Sequence, residues 1–387
     1  MRVAYICGDP GIPVFGSKGA SVHVQEVLRV LARAGAAVDL FCARTGGAVP
    51  PGLERLTVHL LPAPPKGDPA TRERAAMRTD DILADVLART GCIDLVYERY
   101  ALWSRAGMAY ARSRGIPALL EVNAPLVDEQ ARHRDLVHRS EADAVARDVL
   151  RDASAVVCVS EPVAAWARGR TDDHDRVHVL PNGVDTTRIR PSSPPPEPFT
   201  IGFVGTLKPW HGVDVLVDAF SRLAGVEPGI RLLLVGDGPE ATRIRDRAAA
   251  RGVSHAVEMT GALRPEDVPA QLHRMHVAVA PYPDDPESYF SPLKVFEYMA
   301  AGLPVVASRA GQIPDLVTDR VDGVLVPPGD IAALTHALAA LRDDPAYRGR
   351  LGAAARHAAV ARFTWDGVVH RSLGLAGVAL PSPQQVA

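Results

Sequence analysis

Residues 291–302, Ser-Pro-Leu-Lys-Val-Phe-Glu-Tyr-Met-Ala-Ala-Gly, combine a cation, a carboxylate and the punctuation of a short helix. Ser291 reads as an N-cap, Pro292 as the first helical residue and Gly302 as the C-terminal stop. The amides of Leu293 through Val295 would then lack intrahelical acceptors, and with the helix dipole they form an anion site. Lys294 adds positive charge in the first turn, and Glu297, three residues on, shares its helical face. Together they suit a diphosphate followed by a ribose, whose two hydroxyls a carboxylate can accept. The plainer alternative is a surface Lys–Glu pair on an apolar helix. The Pro281-Tyr282-Pro283 stretch and the polar loop 284–288 put the helix at a strand's carboxyl end, which favours the anion site.

Other loops carry related signals. Gly205-Thr206-Leu207-Lys208-Pro209-Trp210-His211-Gly212 follows a strand and opens a helix, so Gly205 and Thr206 can approach a phosphate while Lys208 supplies charge. An ordinary turn with a solvated lysine fits that loop equally well. Near the N-terminus, residues 8–21 form a long glycine-bearing loop, with Gly16 and Gly19 free to approach an anion and Ser21 as the expected cap of a helix from Val22. In the same half, Glu121 and Asn123 close a strand on one face. Buried polar groups need partners, which a sugar hydroxyl, an acceptor or a neighbouring loop would supply. Glu98-Arg99-Tyr100 is a weaker version of the same arrangement. Gly236–Glu240 reads as turn chemistry alone, and Gly261–Arg264 as backbone exposed to a base edge.

Several classes are disfavoured. The 13 histidines include no HExxH and no convincing metal spacing, and there is no GxSxG elbow or P-loop, so no metal or resident cofactor is expected. The net charge of -2, from 43 basic and 45 acidic residues, argues against a nucleic-acid partner. Cys7, Cys42, Cys92 and Cys158 have no ligand spacing and read as reduced thiols of a cytoplasmic protein. The chain opens directly on a strand, and no apolar run approaches membrane-spanning length, so neither a signal peptide nor a spanning helix is expected.

The loops need a scaffold, and 387 residues with 47% hydrophobic content are enough for two cores. With only 5% aromatics, aliphatic residues must fill them. Short apolar runs (Arg2–Cys7, Val38–Cys42, Leu95–Tyr97, Ala118–Val122, Ala155–Val159) alternate with helical stretches at Val22–Arg33, Asp80–Arg89 and Ser104–Arg114. After the segment 191–198, which has five prolines in eight residues, the pattern restarts. Its runs are Phe199–Val204, Arg231–Val235, Val257–Met259, Val277–Ala280, Val305–Ala307 and Gly323–Val326. Short strands between helices predict α/β architecture with doubly wound parallel sheets. The expected division is a first domain over 1–190, a proline-rich linker over 191–198, a second domain over 199–362, and a C-terminal helix with a frayed tail over 363–387. Residues 129–151 read as one solvated helix rather than a membrane patch.

Residues 291–308 resemble the donor-binding segment of glycosyltransferase family 4, retaining enzymes of the GT-B fold. Pro181–Asp185, Val204–Leu207, Leu234–Glu240 and Asp322–Pro328 extend the likeness over essentially the whole chain. The resemblance implies two Rossmann-like domains facing across a cleft, the first binding the acceptor and the second a nucleotide-sugar. It implies Glu297 on the ribose, the helix start after Ser291 on the diphosphate, and the Gly16–Gly19 loop over the phosphates. Three departures from the pattern stand out. The first of two glutamates spaced eight apart is Tyr289 here, with Glu287 out of register. The usual basic pair is Thr206 and His211, so Lys208 and Lys294 are the candidate replacements. A first-domain histidine is replaced by Asn123, making Asn123, Lys208 and Lys294 the candidate catalytic groups. The expected activity is hexosyl transfer from a nucleotide-sugar to a small-molecule or lipid-linked hydroxyl acceptor, with peripheral contact at the inner face of a membrane left open. A sugar-nucleotide epimerase and a non-catalytic nucleotide-binding subunit are the alternatives. The Ala-, Arg- and Pro-rich composition points to a bacterial gene.

Overall fold

The structure is a computed structural model that describes residues 1–193, 195, 197–227, 229–285 and 289–380. Glu287 and the end of the loop 284–288, Pro194 and Pro196 of the expected linker, and the tail from Pro381 lie outside the described residues. The chain forms two compact units. One comprises Met1–Asn182, Tyr289–Ser291 and the chain from Trp365 on; the other comprises Gly183–Ser288 and Pro292–Thr364.

In the first unit, β1 (Arg2–Cys7), β2 (Ala37–Cys42), β3 (Thr57–Leu60), β4 (Leu95–Arg99), β5 (Ala118–Val122), β6 (Ala155–Cys158) and β7 (Val177–Val179) form one sheet. Its order is β3-β2-β1-β4-β5-β6-β7, and every pairing is parallel. In the second unit, β8 (Thr200–Val204), β9 (Arg231–Val235), β10 (Val257–Met259), β11 (Val277–Ala280), β12 (Val305–Ser308) and β13 (Val324–Val326) pair in the order β10-β9-β8-β11-β12-β13. These pairings are parallel too. Central strands are covered by helices on both faces, which is why they read as unbroken aliphatic runs. Phe203, Leu232, Leu234, Val279 and Val306, for example, are buried with Leu216, Phe220 and Leu338 from the helices. Each sheet changes winding direction beside its first strand, between β1 and β4 and between β8 and β11. Crevices for ligands open at such points, outside the carboxyl ends of the strands.

Several boundaries differ from the sequence expectation, each for a tertiary reason. β3 and β7 were not anticipated, because edge strands of three or four residues with interleaved polar side chains lack an apolar run. The stretch 129–151 is two helices, Leu126–His133 and Arg139–Asp152. Glu73, far away in sequence, accepts the Val137 and His138 amides at the break. The helix expected from Asp80 starts at Pro69, capped by Asp68 onto the Thr71 amide. Asp80 instead accepts the amides of Arg105 and Ala106, starting the next helix at Ala106. The second unit begins at Gly183, ahead of the expected linker. Val184 bridges Thr364, Ile189 is fully buried, and the Arg356 guanidinium donates to the carbonyls of Thr186 and Ile189. Residues 183–190 therefore pack with the second core.

Candidate functional site

The second unit gathers its chemistry at the carboxyl ends of β8 and β11. After β8 the chain turns through Gly205 and a short 3-10 turn, Pro209–His211, into the helix Val213–Ala224. Glycine is required where backbones touch here. A Cβ on Gly212 (φ 63°) would lie 1.8 Å from the Pro281 carbonyl oxygen, and one on Gly236 (φ 134°) 2.1 Å from that of Gly205. The Gly205 amide donates to Val235 O and the Leu207 amide to Asp237 O, so the loop after β9, expected to be turn chemistry alone, braces the loop after β8.

The helix that follows β11 runs from Leu293 to Ala300. Its N-cap is Pro292, without a side-chain cap, so Ser291 does not fill the role expected of it. The Ser291 hydroxyl accepts the Asn182 amide and its carbonyl accepts Asn182 Nδ2, which ties Ser291 into the first unit. The Val295 amide is also occupied, by Pro292 O at 3.0 Å, because the helix opens with a tight turn. Leu293 and Lys294 thus carry the first-turn amides that α-helix geometry leaves without an intrahelical acceptor.

Lys294 is buried, and among the described residues its Nζ has no hydrogen-bond partner. It rests 4.1 Å from the centroid of the Phe203 ring and 5.1 Å from that of Tyr282. Burial pushes the amine down to about 7, with Glu297 partly offsetting the shift. Glu297 is half-buried, 3.8 Å from an Arg188 guanidinium nitrogen, and Arg188 is itself anchored on Pro265 O at 3.0 Å. Sequence reasoning missed Arg188, which no local pattern links to a residue so far along the chain. It missed the aromatic walls as well. Tyr298, on the same helix, is fixed to β8, its hydroxyl accepting the Val204 amide at 2.7 Å.

The other expected residues of this unit fall nearby. Lys208 is half-buried, with Nζ 5.3 Å from the centroid of the exposed Trp210 ring. Thr206 is exposed, and its carbonyl is bound to His211 Nδ1. Burial, then the charges of Lys294 and Lys208, drive His211 down to about 3, so it is neutral at ordinary pH. Neither Thr206 nor His211 provides a cation.

The first unit holds Asn123, Gly16 and Gly19. Asn123 Nδ2 donates to Glu121, which also accepts from the Tyr97 hydroxyl at 2.7 Å and from Arg99 at 3.0 Å. His23 Nε2 stands 2.9 Å from the same carboxylate. Burial alone would raise the Glu121 pKa, but His23, Arg99 and Tyr97 hold it well below the usual carboxylate range. The partners left open by the sequence are therefore neighbouring side chains. Residues 8–18 are tied down, with Gln25 Nε2 donating at 2.8 Å to both Val14 O and Gly16 O. The Gly16 amide is taken by Pro13 O. The first helix runs Gly19–Arg33, so Lys18 is the N-cap and Ser21 is a buried helical residue. Tyr289 belongs to this unit as well, its hydroxyl donating to Glu129 at 2.6 Å and its carbonyl accepting the Ser160 hydroxyl.

Among the described residues no three His, Cys, Asp or Glu side chains are arranged to hold a metal, and no helix is long and apolar enough to cross a membrane.

Known proteins agree with this architecture. Residues 17–188 match the family described as Glycosyltransferase Family 4, and residues 198–344 match Glycosyl transferases group 1. The D-inositol 3-phosphate glycosyltransferase of Acidothermus cellulolyticus is 29% identical over 95% of this chain and 86% of its own. The glycogen synthase of Mycobacterium tuberculosis is 28% identical over 76% of this chain and 70% of its own. Among solved structures, sucrose-phosphate synthase from Thermosynechococcus elongatus superposes with TM-score 0.72 at 23% identity, covering 97% of this chain and 98% of that one. Anabaena HepE in complex with UDP gives TM-score 0.71 at 18% identity, covering 98% of this chain and 100% of that one. Two wound parallel sheets, family matches across both halves and relatives named as a glycosyltransferase and a glycogen synthase lead to one conclusion: the chain belongs to glycosyltransferase family 4 and is a hexosyltransferase of the GT-B fold.

Proposed function

We infer that this hexosyltransferase is a retaining enzyme whose donor is a nucleotide-sugar, with the nucleoside diphosphate held at the carboxyl edge of the second unit's sheet. One observation carries the reading. A buried lysine without a hydrogen-bond partner among the described residues stands in the first turn of the helix Leu293–Ala300, with the half-buried carboxylate of Glu297 on the same face. The diphosphate would meet the Leu293 and Lys294 amides and the lysine ammonium, and the ribose hydroxyls would donate to Glu297. HepE, a protein of the same fold, is known in complex with UDP and with UDP-glucose, which supports that class of donor.

The protein's part in the reaction is positioning and charge stabilisation. In a same-face displacement the bond from the anomeric carbon to the phosphate oxygen breaks as the acceptor oxygen bonds to that carbon. The acceptor's proton passes to the leaving phosphate oxygen. Lys294, Lys208 and the helix amides counter the charge that grows on the diphosphate. The acceptor is a hydroxyl compound, and the first unit is its expected seat. The relatives' names, an inositol phosphate glycosyltransferase and a glycogen synthase, favour a polyol or glycan. If the acceptor is lipid-linked, contact with the membrane is peripheral.

A thermal-shift screen against UDP-, GDP-, ADP- and dTDP-sugars identifies the donor, since a ligand of the native form raises the melting temperature. NMR of the product formed with polyol and glycan acceptors then reads the anomeric configuration. An inverted product excludes the retaining mechanism. A new epimer formed without any acceptor would make the protein an epimerase instead.

A further inference from the structure

Lys294 cannot reach a ligand as it stands, because its Nζ is sealed from solvent. The end of the side chain fills the space beneath Gly205, where a Cβ would come within 2.9 Å of Nζ and 3.0 Å of Cε. Phe203 and Tyr282 form the walls. Aromatic faces make the pocket tolerable for an ammonium, but they offer no hydrogen-bond acceptor of the kind a lysine needs to stay there at full charge.

We propose that Lys294 is a stowed cation, held between Phe203, Tyr282 and the Gly205 backbone in the free enzyme and turned outward onto the diphosphate when the donor binds. This rests on the donor site inferred above and adds how that site is charged. A four-carbon stem with freely rotating bonds can make the swing without moving the helix. The stowed amine sits near neutrality at about pH 7, and once paired with a dianionic group it regains its full charge. Above pH 7 donor binding therefore takes up a proton from solution.

The surrounding groups leave this titration to Lys294. His211, from the turn after β8, stays neutral, and Tyr282 and Tyr298 are pushed up by burial. Among the described residues Glu297, on the same helix, is the charge that acts on Lys294; Arg188, from the segment before β8, faces Glu297, and Lys208, on the turn after β8, faces His211.

Titration calorimetry of the full chain with UDP, GDP and ADP, in buffers of different ionisation enthalpy, tests the proposal. At pH 8.5, where the nucleotide's phosphates are fully ionised, close to one proton should be taken up per nucleotide bound. The Kd should weaken about tenfold per pH unit above 7, and both effects should vanish in Lys294→Met. A crystal structure of the nucleotide complex should show Nζ away from the Phe203 ring and on the phosphates. If a nucleotide binds with the same proton balance in both proteins, or with Nζ still over Phe203, the stowed cation is wrong and the donor site stands. If none of the three nucleotides binds at any pH, the donor site itself falls, and this proposal with it. Should Lys294→Met not fold, the slope of Kd with pH in the native protein decides alone.

Discussion

Glu121 in the first unit and Lys294 in the second are both buried ionic side chains, and they differ in company. Glu121 is met by Tyr97, Arg99, Asn123 and His23, and it stays ionised. Lys294 is met by two aromatic faces and a glycine backbone, and it is pushed toward neutrality. Glu98 is a third case. Among the described residues its buried carboxyl has the Ser104 hydroxyl as donor and no cation beside it, and burial drives it up to about 8. A buried charge with its full set of partners belongs to the scaffold. One without them carries an unmet demand that a ligand can satisfy, as perturbed groups at functional sites do.

Four measurements would break or sharpen this contrast. Glu121→Gln leaves Arg99 without its counter-charge, and chemical denaturation should show a loss of about 3–5 kcal/mol. A loss below about 1 kcal/mol would mean that the network does not hold the first unit together. Lys294→Met should act the opposite way. Turnover should fall by roughly 10²–10³-fold, the effect of removing one group that stabilises transition-state charge. The unfolding free energy should hold or rise by about 1–4 kcal/mol as a buried ion is replaced by an apolar side chain. Unchanged turnover in the folded variant would remove Lys294 from the mechanism.

Glu297→Gln weakens hydrogen bonds between charged and neutral groups, worth about 1.5–3 kcal/mol, so calorimetry should show nucleoside diphosphate affinity reduced by roughly 10–100-fold. Unchanged affinity would reject the ribose role. The last measurement concerns Glu98. Its folded pKa, about 8, lies above the ordinary 4.5, so the folded state keeps a proton that the unfolded chain gives up. Its contribution is complete below pH 4.5 and is lost as pH rises through 8, with a slope of at most about 1.4 kcal/mol per pH unit. Thermal unfolding across that range should flatten in Glu98→Gln. An unaltered slope would show that Glu98 does not hold its proton.

The central strands were legible because a parallel strand covered on both faces must be continuously apolar. Arg2–Cys7, Ala118–Val122, Arg231–Val235 and Val277–Ala280 stand where their residues foretell. The edge strand Thr57–Leu60 escaped because nothing covers it fully. The break between residues 133 and 139 escaped because Glu73, a partner from another helix, stabilises it. Caps failed in the same way. Ser291 and Ser21 have the right chemistry for helix starts, but the Ser291 hydroxyl accepts the Asn182 amide and Ser21 lies inside its helix.

At the site, local spacing put Lys294 and Glu297 on one face of a helix, since three residues is nearly one turn. Spacing along the chain cannot carry information about Arg188 reaching Glu297, or about the Phe203 and Tyr282 rings enclosing the lysine. The sequence alone determined the alternation of strands and helices, hence the two wound sheets, and which residue types stand at the strand ends. Only the tertiary structure decided which of those charges are satisfied. Burial and hydrogen-bond partners come from segments far apart in the chain, and at Lys294 they leave an amine enclosed by rings with no hydrogen-bond partner among the described residues.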